Sequence, residues 1–229
     1  LAAMTEKAIK ALSRNSKGFI LMVEGGKIDK AAHANDPAAL VAEVLAFDAA
    51  VKVALDHARR QRSTAVVVVP DHCTGGLTIG SSQPCYSSSD GMIPSDFTAP
   101  LKKARRSAAG TATLLKPEMN DEKIQAIIAA EYGIADITAD EMKALRKALS
   151  LKGLGKLGDL PSMLGQMLSA RAGLSWSTRG HTGEDTILFA LAPNWIPSGT
   201  IQNSDVASRV ISKYLLLNLK NTSQYLFHD

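Results

Sequence analysis

Cysteine is scarce in this sequence: 229 residues carry two, Cys73 and Cys85. Two thiols cannot build a multi-bridge disulfide framework or a thiolate zinc site. They could pair or stay free, so they do not fix the compartment. Aromatic residues are also few, at 5%, and the net charge is only +4, with Lys and Arg spread along the chain. The two basic clusters are "RRQR" (59–62) and "LKKARR" (101–106). The first falls at an expected helix C-terminus, where the helix dipole favours cations. No basic stripe interleaved with aromatics exists, so no nucleic-acid partner is expected. No apolar run approaches the ~20 residues of a membrane helix, so no membrane span is expected. The chain opens without an initiator Met, and "LAAMTEKAIKALS" has the period of an amphipathic helix, not the pattern of a signal peptide. Internal repeats and low-complexity tracts are absent as well.

What is present is an ordinary globular composition: 45% apolar, 21% charged, mean hydropathy near zero. The length suits one sizeable domain, or a domain with an insertion. "GFILMVE" (18–24), "TAVVVVPD" (64–71) and "TILFALAP" (186–193) are continuous apolar runs, the pattern of parallel strands covered on both faces. Between the first two lies a long helix, with Asp36 as cap, Pro37 in its first position, and Leu40, Val44, Phe47, Val51 and Leu55 as its apolar stripe. Strand, helix, strand predicts a right-handed βαβ unit. The expected class is therefore α/β, a mostly parallel sheet covered by helices.

After Asp71 the chain turns rich in Gly, Ser, Thr and Pro. Two helices are expected beyond, from about Asp121 to Tyr132 with a stop at Gly133, and from Thr138 with Glu141 closing a capping box. Residues 203–219 read as a closing helix. The division that follows is a core of 1–75 and 175–229 carrying an inserted subdomain over 76–174.

Three polar clusters stand near the strand ends: Glu24, Asp29 and His33; the pair Asp71-His72; and His181 in "GHTGED". Ligands of open α/β sheets bind beyond the carboxyl ends of strands, and Glu24 and Asp71 occupy those ends. Asp29 and His33 are four apart, so a helical turn aims both the same way. Carboxylates with imidazoles suit zinc or magnesium. Asp29, His33 and His181 can supply the three ligands of an open zinc site, and Asp71 with His72 can begin a second. Two close metals clamp the attacking and leaving oxygens of a phosphoryl transfer. Taken singly, each residue is more simply a cap, a turn residue or a surface group; their matching positions join them. His57 and His228 lack such company and are read as structural or solvated. Asp48 is assigned to a helix surface, and Glu184 and Asp185 to a turn.

"VEGGKIDKAAHANDP", "VVPDHCTGG" and "GHTGEDTILFA" together resemble three metal-binding motifs of bacterial alkaline phosphatases, in the same order. The combination E-x4-D-x3-H, D-H, H-T-G carries the resemblance, which runs from about residue 4 to the final helix and is weakest in the insertion. It implies two zinc ions and one magnesium. Glu24 matches the magnesium carboxylate, Asp29, His33 and His181 the ligands of one zinc, and Asp71 and His72 two ligands of the other. Lys30 matches a lysine that in some members holds phosphate through water. The insertion would correspond to the crown region near a homodimer contact. The implied activity is hydrolysis of a broad range of phosphate monoesters, releasing inorganic phosphate, in a periplasmic or secreted protein.

The family's nucleophilic serine lies far upstream of these motifs, as do a metal-bridging aspartate, a magnesium-binding Thr or Ser and a phosphate-clamping arginine. Only 23 residues precede Glu24, and no later serine has a D-S-A-like setting. The sequence is therefore expected to represent a C-terminal portion, inactive by itself. Pro70, before the Asp-His pair, is a further departure, because the family usually has a small non-proline residue there. Two rivals stay open: another metal-dependent member of the superfamily, such as a phosphodiesterase or phosphoglycerate mutase, and a non-catalytic metal-binding fragment.

Overall fold

The computed structural model describes residues 1–80, 94–153, 159–193, 199–202, 205–206 and 212–215. The described residues form helices and strands in successive blocks: three helices, three short strands, five helices, three more strands and a last helix, a mixture consistent with an α/β fold. The chain divides into two compact units. One holds Leu1–Glu24, Leu45–Asp71 and Asp185–Asp229; the other holds Gly25–Val44 and His72–Glu184. The second unit thus takes in the Asp29–His33 segment as well as the whole 76–174 stretch.

In the first unit, α1 (Ala2–Leu12) is the expected amphipathic helix and buries Thr5 and Ile9. Helix α3 (Pro37–Gln61) begins at the predicted proline and ends with Arg59 and Arg60 in its last turn, where cations are favoured. Strands β1 (Val66–Val68) and β6 (Phe189–Leu191) pair antiparallel, with Val67 opposite Ala190. The run 18–24 forms no regular element and joins no ladder among the described residues. All described ladders are antiparallel two-stranded pairs. Burial on both faces, expected for these apolar runs, is not what this unit shows: Met22 is 84% exposed and Phe189 63%. A two-stranded ribbon is too narrow to cover its own apolar faces. The α3 stripe is likewise only partly covered. Residues Pro37–Val44 of α3 belong to the second unit; the α3 residues buried in the first are Ala50 and Ala58. Pro70 lies just outside the β1 ladder, where its missing N–H costs no strand bond.

The second unit contains the main hydrophobic core. Helices α5 (Ala108–Leu114), α6 (Asp121–Tyr132), α7 (Ala139–Gly153) and α8 (Leu160–Arg171) close around Leu115, Ile124, Ile128, Leu145, Leu149 and Leu164, all essentially inaccessible to solvent. Local signals set their ends. The Asn120 side chain accepts from Lys123 N, and α6 stops at Gly133 in the left-handed conformation, φ 80°. Thr138 and Glu141 form the predicted capping box, with side chain-to-backbone bonds of 3.2 and 2.9 Å. Helix α4 (Pro94–Leu101) precedes them.

Two short ladders carry the polar motifs of this unit. Strand β2 (Cys73–Thr74) pairs with β5 (His181–Thr182), and β3 (Leu77–Ile79) pairs with β4 (Leu174–Trp176). Gly75 and Gly76 join β2 to β3 at φ 83° and 57°. A Cβ on Gly75 would sit 2.8 Å from the Trp176 ring, so only glycine permits this close crossing. Of the closing helix expected over 203–219, only α9 (Ser212–Leu215) and residues 205–206 are described. Cys85 and His228 lie outside the described residues.

Candidate metal centre

Helix α2 (Lys27–His33) has seven residues, with Asp29 in its first turn and His33 at its end. One turn separates the two side chains, and Asp29 Oδ1 lies 3.3 Å from His33 Nε2. On the other side of the ring, His33 Nδ1 is 2.5 Å from the Arg179 carbonyl oxygen. A carbonyl can only accept, so Nδ1 carries the proton and Nε2 presents its lone pair toward Asp29. The Arg179 guanidinium returns a bond to the His33 carbonyl at 3.3 Å and pairs with Asp159 at 2.6 Å. The β5 approach and the end of α2 are thereby tied together.

The β2–β5 ladder brings in the second and third motifs. Thr74 stands opposite His181 in the register. The His72 and His181 rings stack with centroids 3.6 Å apart and planes inclined by 23°, and the His33 ring centroid lies 5.1 Å from that of His181. His181 Nε2 is 4.0 Å from Asp29 Oδ1. Ligand atoms of Asp29, His72 and His181 all fall within 4.8 Å of one another.

Thr74 links these groups. Its hydroxyl donates to Asp29 Oδ1 at 2.8 Å. The single hydroxyl proton is then used, so the oxygen accepts from His72 Nδ1, 3.1 Å away. The Cys73 carbonyl, 3.3 Å from the same nitrogen, also requires a donor there. His72 Nδ1 is therefore the protonated nitrogen of that ring. A second hydrogen bond that fixes the tautomer of a ligating histidine is the usual outer support of a metal site.

One carboxylate oxygen with imidazole nitrogens is a donor set for zinc; it is too poor in oxygen for magnesium or calcium. The side chains are half-exposed, Asp29 and His33 at 39% each, so the cluster opens to solvent as a catalytic site must. The residues present fit a divalent ion of this kind. The pairing expected from the sequence was Asp29, His33 and His181 apart from His72; the structure gathers all four.

Three further site residues were expected from the sequence. Glu24 is exposed at the end of the 18–24 run, and Asp71 is exposed three residues after β1, both in the first compact unit. Lys30 is exposed on α2. Cys73 is a free thiol. Burial, and then the Glu184 carboxylate, push its pKa up. Asp36 is the predicted cap of α3, accepting from Ala39 N at 3.1 Å. Sequence reasoning missed Thr74 and the Arg179 carbonyl. For Thr74 a signal existed, because positions 72 and 74 of a strand share a face.

A profile of the alkaline phosphatase family matches residues 1–216. "Alkaline phosphatase 3" of Bacillus subtilis is 34% identical over 221 residues, 96% of this chain and 45% of that protein. The crystal structure of a cold-active alkaline phosphatase from a psychrophilic Shewanella superposes with a TM-score of 0.68 at 34% identity, covering 84% of this chain and 44% of that one. Thermus thermophilus alkaline phosphatase, at 24% identity, shares the fold with a TM-score of 0.71 over 83% of this chain and 42% of the other. This chain therefore spans about half the length of the relatives it matches. With its α/β architecture and its Asp-His cluster, the chain belongs to the alkaline phosphatase family.

Proposed function

We propose that this chain is the metal-binding portion of a phosphate monoester hydrolase that uses two zinc ions and one magnesium. The observation that carries the reading is the convergence of Asp29, His72 and His181, with His33 Nε2 3.3 Å from the same carboxylate. Asp29, His33 and His181 would hold one zinc, Asp71 and His72 would contribute to the second, and Glu24 would serve magnesium. Bound there, the metals supply Lewis acidity for the attacking and leaving oxygens of phosphoryl transfer.

The chain's own residues orient that chemistry. The Arg179 carbonyl and Thr74 hydroxyl keep the Nδ1 protons of His33 and His72 in place, so both rings present Nε2. The Thr74–Asp29 bond fixes the carboxylate rotamer. Lys30, exposed one residue after Asp29, adds positive charge where a phosphate dianion would approach. The serine nucleophile and the phosphate-clamping arginine are assigned to the part of the fold that these residues do not span. The same reading places the protein in the periplasm or outside the cell, as a homodimer contacting through the 76–174 region. Light scattering showing a dimer at micromolar concentration supports the assembly, and a monomer counts against it. Among the described residues no helix is long and apolar enough to cross a membrane.

The test is turnover by the native protein isolated from its source, with zinc and magnesium supplied. Hydrolysis of p-nitrophenyl phosphate well above that of bis(p-nitrophenyl) phosphate, abolished by chelation, is expected. Preference for the diester would select the phosphodiesterase reading, and no turnover of either would select a non-catalytic metal-binding role.

A further inference from the structure

The joint between α2 and α3 is built on Asp36, which is 2% exposed. Helix α2 ends in a Schellman turn: Asn35 takes the left-handed conformation at φ 52°, Asn35 N donates to Ala32 O at 2.9 Å, and Asp36 N donates to Ala31 O at 3.0 Å. The Asp36 backbone thus belongs to the cap of the helix that carries Asp29 and His33. Its side chain belongs elsewhere. Oδ1 accepts from Ala39 N at 3.1 Å, starting α3, and from the Tyr132 hydroxyl at 2.7 Å. Oδ2 accepts from Ala108 N at the start of α5, at 2.6 Å. Tyr132 and Ala108 are both buried in the main helical core.

A third helix closes on the same joint. A Cβ on Gly165 of α8 would lie 2.3 Å from the Asn35 carbonyl oxygen, so α8 packs directly on the Schellman turn. A seven-residue helix has little stability of its own. The position of α2 is therefore set by what holds its end, and that end is bonded or packed to α5, α6 and α8.

We propose that Asp36 is a positioning residue for the metal centre: its buried carboxylate ties the C-terminal cap of α2 to the helical core and so fixes where Asp29 and His33 present their ligand atoms. This rests on reading those two residues as metal ligands. In Asp36→Asn one carboxylate oxygen becomes an amide donor; the Tyr132 hydroxyl can accept from it, but either the Ala39 or the Ala108 N–H loses its acceptor. In Tyr132→Phe a single bond to Asp36 is removed. Leu149→Ala serves as the control, since Leu149 is buried in the same core and makes no bond to Asp36.

Zinc affinity of the chain, by competition with a chromogenic chelator, is compared with the thermal unfolding midpoint of the same samples. For Asp36→Asn a loss of zinc affinity of about tenfold or more is expected, the scale of outer-support mutations at metal sites. A smaller loss is expected for Tyr132→Phe. Leu149→Ala should lower the unfolding midpoint and leave zinc affinity as in the unsubstituted chain. Asp36→Asn and Tyr132→Phe binding zinc like the parent would overturn the positioning role alone. An equal loss in Leu149→Ala would also overturn it, because general destabilisation would then explain the effect. Should Asp36→Asn fail to fold, Tyr132→Phe against Leu149→Ala decides by the same criterion. A parent chain that binds no zinc would overturn the metal-centre reading together with this one.

Discussion

One hydroxyl proton joins two of the candidate ligands. Thr74 spends it on Asp29 and accepts from His72 in return, so Thr74→Val removes support from both while changing little volume. Zinc affinity is predicted to fall about 10–100-fold, and Thr74→Ser, which keeps the hydroxyl, should restore most of it. A competition titration giving equal affinities for the three chains would contradict the assignment. The four-residue spacing of Asp29 and His33 was legible in the sequence, because one helical turn is a local geometry. Thr74 was not, because it lies 45 residues from Asp29 and meets it only through tertiary folding. The gathering of His72 with His181 has the same origin: it depends on a two-residue β2–β5 register that no apolar periodicity announces.

At the scale of elements, helix α8 ends on Arg171, whose guanidinium donates to both Glu141 oxygens at 2.8 and 3.0 Å and to Asp136 at 2.7 Å. Arg171 holds both carboxyls below their ordinary pKa values. Groups with lowered folded-state values stabilise fully above the ordinary carboxylate range of about 4–4.5, and that stability is lost as pH falls through their lowered values. Arg171→Met should cost about 1–3 kcal/mol at neutral pH and flatten the acid limb of the stability curve. Denaturant unfolding measured across this pH range checks it, and an unchanged acid limb would contradict it. The helices around this pair were largely legible, since Asn120, Gly133, Thr138 and Glu141 are local start and stop signals. The apolar runs were less so. Their composition says strand, but Met22 and Phe189 are exposed, and burial depends on what lies beside a strand as well as on its own residues.

For the whole molecule, the central claim is that three separated motifs make one metal centre. Since the chain spans 45% of its Bacillus relative, two whole-protein outcomes follow from the proposed function. Purified alone, these 229 residues should bind zinc yet give no measurable turnover of p-nitrophenyl phosphate with zinc and magnesium present. Strong turnover would place a nucleophile within them and refute the assignment of that group to another part of the fold. The native protein should have a mass near twice the 24.3 kDa of this chain. The most direct measurement is zinc-edge X-ray absorption on the chain loaded with one equivalent of zinc. The account predicts a first shell of nitrogen and oxygen at ~2.0–2.2 Å, with the outer-shell scattering of at least two imidazoles, all diminished by His181→Ala. A sulfur shell at ~2.3 Å, or a spectrum without imidazole scattering, would contradict it.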